Sequence, residues 1–90
     1  VIKHINLRVY GRVQGVWYRK STREKAITLG INGFVKNVED GSVYIEAEGP
    51  DKPLKTFVEW CKKGPQYAVV AKIEIEESTV KSYKSFDVSY

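Results

Sequence analysis

Apolar residues along this chain recur with two periods, and the change from one to the other marks the elements. Residues 4–10 alternate, with Ile5, Leu7 and Val9 on one side and Asn6, Arg8 and Tyr10 on the other, as in a strand with one buried face. From Tyr18 to Leu29 the composition turns helical, Tyr18, Thr22, Ala26 and Leu29 form a narrow stripe, and Gly30 suits a left-handed stop. Ser21 and Glu24 make a capping-box pattern that starts the helix later and leaves Arg19 in the loop. Either start keeps Arg19 near a helix N-terminus.

Gly33 to Val38 and Ser42 to Glu48 read as two short strands joined by Glu39-Asp40-Gly41, and an Asp-Gly step between such runs signals a hairpin. Val43, Ile45 and Ala47 share one face of the second run. Gly49-Pro50-Asp51 interrupts the chain, with Asp51 placed to cap a helix whose first turn accommodates Pro53. Leu54, Phe57, Val58 and Cys61 then follow at the spacing of a buried helical face, Trp60 lies off that stripe, and Gly64-Pro65 ends the helix. Val69, Ala71, Ile73 and Ile75 alternate with Val70, Lys72, Glu74 and Glu76 as a further strand, and Phe86, Val88 and Tyr90 suggest a last one. This order predicts the α+β class: a ferredoxin-like α/β sandwich with two helices packed on one face of a four- or five-stranded antiparallel sheet.

The 90 residues suit one domain, 1–90, with a single modest core. A net charge of +4 spread along the chain, without a run of five like charges, favours a small anion over nucleic acid or a membrane surface. Cys61 is the only cysteine, so no disulfide forms within the chain, and no His, Cys and acidic residues share metal-ligand spacing. No cofactor or metal is expected. With no signal-peptide pattern and no apolar run approaching the roughly 18 residues of a membrane span, the expectation is a cytoplasmic protein, monomeric at this size.

The segment Gly11-Arg12-Val13-Gln14-Gly15-Val16-Trp17-Tyr18-Arg19 carries the chemistry. Glycines let the backbone turn its N–H groups inward, a helix N-terminus adds partial positive charge, and a guanidinium supplies forked donors, the ingredients of an anion cradle. The same glycines also suit a plain strand-to-helix turn. Gly15 is followed by Val16, not by the Lys and Ser or Thr of a nucleotide-binding P-loop, and no G-x-G-x-x-G is present, so a small phosphoryl group fits better than a nucleotide.

That segment, together with Gly33-Phe34-Val35-Lys36-Asn37, Gly41, Val43 and Gly49, closely resembles the two signatures of the acylphosphatase family, and Phe86, Val88 and Tyr90 are similar to how those chains finish. The resemblance covers essentially the whole chain. It implies hydrolysis of acyl phosphates to carboxylate and inorganic phosphate, without metal or covalent intermediate. It further implies that the backbone N–H groups of Gln14, Gly15, Val16, Trp17 and Tyr18 hold the phosphoryl oxygens together with Arg19, and that the Asn37 amide positions the attacking water. Val38 departs from the pattern, being apolar where many relatives have a hydroxyl residue. Whether the carboxylate of Tyr90 approaches Arg19 depends on sheet register.

The remaining conspicuous residues read as structural. His4 has no nucleophile or base partner evident and suggests a structural or solvated role; Cys61 and Tyr18 suggest core packing. Trp17 suits either the mouth of the site or a sheet edge. The competing reading is a non-enzymatic module of the same strand and helix order that binds RNA or another anionic ligand. Its third strand would carry basic and stacking aromatic residues, whereas Ser42 to Glu48 offers only Tyr44 beside Glu46 and Glu48, whose carboxylates repel phosphate.

Overall fold

The computed structural model describes residues 1–89. Its elements run β1 (Ile2–Arg12), α1 (Tyr18–Leu29), β2 (Asn32–Asn37), β3 (Val43–Pro50), α2 (Asp51–Lys63), β4 (Val69–Ser78) and β5 (Phe86–Ser89). The strands form one sheet in the order β4-β1-β3-β2-β5. Both helices pack on the face presenting Leu7, Val9, Val35, Val43, Ile45 and Ala47, and they add Tyr18, Ala26, Leu54, Phe57 and Cys61 to a single core. The expected sandwich is thus present with five strands, but the sheet is mixed: four strands pair antiparallel, and β5 runs parallel to β2. Residues 79–85 produce this by crossing the sheet's other face, which returns the chain to the far edge in the same direction as β2.

That crossing segment is held by carboxylates. Glu48 accepts backbone N–H bonds from Lys81, from Ser82 at 3.2 Å and from Tyr83 at 2.7 Å. Glu46 accepts from the Tyr83 hydroxyl at 3.0 Å and pairs with Lys81 Nζ at 3.2 Å. His4 lies beneath, 1% exposed, its Nδ1 3.0 Å from Glu48 and its Nε2 3.0 Å from Glu46. Of the two roles open to it, His4 therefore has the structural one, with both ring nitrogens engaged. On the sheet face where a base-stacking module would read RNA, the end around His4, Glu46 and Glu48 is occupied here by residues of the 79–85 segment.

Three local expectations give way to tertiary context. The Ser21 capping box does not form: α1 starts at Tyr18 with Trp17 at the N-cap position and no side-chain cap. Tyr18 anchors that start, its ring in the core and its hydroxyl donating to the Cys61 carbonyl at 2.6 Å. Asp51 is the first residue of α2, not its cap, and its carboxylate pairs with Lys3 at 3.1 Å and Lys55 at 3.4 Å. An acid in the first turn meets the positive end of the helix dipole. In β4 the register shifts between Tyr10 and Gly11, leaving Ala71 as the extra residue of a bulge. The apolar alternation therefore changes phase, and Val70 and Ile73 pack against the core while Val69 and Ala71 are exposed.

Candidate active site

The loop between β1 and α1 and the end of β2 open into one cleft of about 650 Å³, lined by Gly15, Trp17, Arg19, Lys20, Asn37 and Val88, among others. Of the residues singled out in the sequence, Gln14 and Val16 are not on its lining, while Gly15, Trp17, Tyr18, Arg19 and Asn37 meet there from elements far apart in the chain. Gly11 is not one of them. It sits within β1 at the bulge with φ 129°, where a Cβ would lie 2.2 Å from the Val69 carbonyl oxygen. Only glycine allows β4 that close.

Gly15 and Trp17 do the turning instead, with φ of 72° and 66°. A left-handed conformation in an aromatic residue costs on the order of 1 kcal/mol and concentrates where a backbone has work to do. Two such residues within three positions tighten the loop, an arrangement that turns successive N–H groups to one side. Among the described residues, the N–H groups of Gln14, Gly15, Val16 and Trp17 make no backbone hydrogen bond, and the first within α1 runs from Ser21 to the Trp17 carbonyl at 3.0 Å. The donors of Tyr18, Arg19 and Lys20 thus add the positive end of a helix to the loop. Trp17 is 68% exposed at the mouth of the cleft, which decides between its two expected places, and Lys20 Nζ lies 5.6 Å from its ring centre.

Arg19 reaches across the cleft floor, where its Nη1 donates to the Ser89 carbonyl at 3.2 Å. The strand that runs parallel to β2 thereby steadies a cation at the helix N-terminus. Tyr90 and its carboxylate lie outside the described residues. Asn37 ends β2, and its Oδ1 is buried without a hydrogen-bond partner. A buried acceptor left in that state costs about 1–3 kcal/mol, and the residue that carries it is on the lining of the cleft that also holds Arg19.

Gln14 acts through its side chain as well, which the sequence did not signal. Its Nε2 donates to the carbonyls of Val38 at 2.7 Å and Ser42 at 2.8 Å, tying the loop to the turn that follows Asn37. Val38 offers no hydroxyl, but its backbone closes the turn: Val38 N–H donates to Ser42 at 2.9 Å, and Gly41 N–H donates to Val38 at 3.0 Å. Cys61 lies in the core away from the cleft, and burial pushes its thiol up to about 12. Burial likewise raises the Tyr18 hydroxyl. Neither ionises near neutrality, which leaves both as packing groups.

Fold and cleft together define a ferredoxin-like α/β sandwich whose β1–α1 loop turns left-handed into a helix N-terminus at the mouth of a cleft. Residues 5–88 match the acylphosphatase family model. The chain is 44% identical to the acylphosphatase of Thermotoga maritima over 89 residues, 99% of each chain. It superposes on the crystal structure of acylphosphatase from Bacillus subtilis with a TM-score of 0.95 and 36% identity, all of both chains being covered. An acylphosphatase from Coxiella burnetii gives 0.94 and 38%, over 98% of this chain and 93% of that one. The chain belongs to the acylphosphatase family.

Proposed function

We propose that the cleft hydrolyses acyl phosphates, with the phosphoryl group seated on the N–H groups of Gln14, Gly15, Val16, Trp17 and Tyr18 and on the Arg19 guanidinium. The family makes this chain an acylphosphatase, an acyl phosphate phosphohydrolase. The observation that carries the residue-level reading is that Asn37, at the end of β2, lines the same cleft as Arg19. The Asn37 amide there holds one water molecule and directs the water's lone pair along the cleft toward phosphorus.

Phosphoryl transfer depends on positioning and on neutralising charge over the equatorial oxygens, and the loop donors and Arg19 supply both. The water oxygen bonds to phosphorus as the bond from phosphorus to the acyl oxygen breaks, and the electron pair leaves on the carboxylate. The oxygen and both hydrogens of the water end in dihydrogen phosphate. A carboxylic acid has a pKa near about 4, so the leaving group departs as an anion without a protein acid. This accounts for a site built without a histidine or a carboxylate pair. The same reading takes the chain as one domain that acts as a monomer in the cytoplasm, where Cys61, buried and free, stays reduced.

Incubation of the purified protein with benzoyl phosphate and a chelator tests the reading. The expected result is release of benzoate and phosphate, with inorganic phosphate as a competitive inhibitor. No turnover above background overturns the enzymatic reading, and turnover abolished by the chelator overturns the metal-free one.

A further inference from the structure

The cleft extends beyond the groups that would hold phosphate and water: Lys20 and Arg23 also line it. Arg23 lies one helical turn after Arg19 on α1, a rise of about 6 Å. Its Nε donates to the Phe86 carbonyl of β5 at 3.1 Å, and among the described residues the side chain makes no other hydrogen bond or ion pair. A guanidinium tethered through Nε keeps both terminal nitrogens on the opposite side of the fork, the geometry that receives a carboxylate with two parallel bonds. Lys20 forms no ion pair among the described residues, and its ammonium lies over Trp17 at the same mouth. Val88 gives the cleft an apolar wall.

We propose that Arg23, with Lys20 beside it, is a second anion subsite that receives a carboxylate at the far end of the substrate's acyl group. The preferred substrates are then monoacyl phosphates of short dicarboxylic acids. The inference rests on the reading of this cleft as an acyl phosphate site. A single turn of α1 sets the spacing: one arginine serves the phosphoryl end, the next the acyl end, and a short aliphatic chain spans them along Val88. Because the second contact is remote from the bond that breaks, it acts on kcat/KM through binding energy without entering the chemical step.

Succinyl phosphate and butanoyl phosphate have acyl chains of similar length and differ in the far carboxylate. Their kcat/KM values, measured for the wild type, Arg23→Gln and Arg23→Lys, isolate the subsite. An exposed charge-assisted contact predicts a preference of about fivefold for succinyl phosphate in the wild type. In Arg23→Gln the preference disappears while butanoyl phosphate turnover stays within about twofold, and Arg23→Lys, with charge but no fork, falls between. Equal values for the two substrates in the wild type, a preference that survives Arg23→Gln, or equal losses in both variants each overturn the subsite. Hydrolysis of neither substrate overturns the acyl phosphate reading itself.

Discussion

Asn37 and Arg19 share the cleft, and the different work proposed for each is separable by substitution. Asn37→Ala removes the amide that would place water, and kcat should fall by about 100-fold or more while the fold and phosphate inhibition persist. Loss of phosphate affinity in this variant would make Asn37 a binding residue. Arg19→Ala should weaken phosphate inhibition and turnover together. Arg19→Lys should also be impaired, because an ammonium lacks the planar fork that meets both Ser89 and an anion. Near-normal phosphate inhibition of Arg19→Ala contradicts its role. The side-chain types of both residues were legible in the motifs, but the burial that leaves Asn37 Oδ1 without a partner was not, since burial depends on packing around the end of β2 in three dimensions.

Between elements, the decisive tie is the pair of hydrogen bonds from Gln14 to Val38 and Ser42. They set the β1–α1 loop against the turn that follows Asn37, and in the proposed reaction this tie would position the water and the phosphoryl group relative to each other. Gln14→Ala keeps the backbone N–H and removes the tie. The expected outcome is a kcat about tenfold lower with phosphate inhibition within about threefold, measured by steady-state kinetics with phosphate as product inhibitor. An unchanged kcat would show that the loop and the turn hold their places independently. Boundaries at this scale followed packing over local preference: Tyr18 draws α1 back past the Ser21 capping box, and the Ala71 bulge reverses the phase of β4.

For the whole molecule, the carboxylates of Glu46 and Glu48 fasten residues 79–85 over the sheet and so determine where β5 lies. Burial alone would raise both carboxyl groups, but the hydrogen bonds outweigh it: Glu46 is lowered by Tyr44, Lys81 and Tyr83, and Glu48 by the backbone of residues 81–83 and by His4. A carboxyl lowered by folding contributes stability that is complete above its unfolded value and is lost as pH falls through the lowered folded value. Urea midpoints should therefore decline as pH drops below 4.5, the ordinary glutamate value. Glu48→Gln should be less stable near neutrality by about 1–3 kcal/mol, since it weakens the bonds from three backbone donors to a buried carboxylate, and should show a shallower acid dependence. An acid slope equal to that of the wild type would mean that this clamp does not govern acid unfolding.

Element order, the inward faces of β1, β3 and α2, and the residue types of the loop were determined by sequence alone, because periodicity and backbone permissiveness are local properties. So was the choice of a small phosphoryl group over a nucleotide, which follows from Val16 standing where a P-loop has lysine. The parallel pairing of β5 was decided only in three dimensions, by a segment whose anchor is a pair of glutamates more than thirty residues earlier. Gly11 shows the same division: its glycine was visible in the sequence, but its reason, the approach of Val69, exists only once β4 is in place. The convergence of Arg19, Arg23 and Asn37 on one cleft, with Gln14 tied behind it, likewise depends on contacts across 24 to 70 residues, for which one-dimensional spacing has no signal.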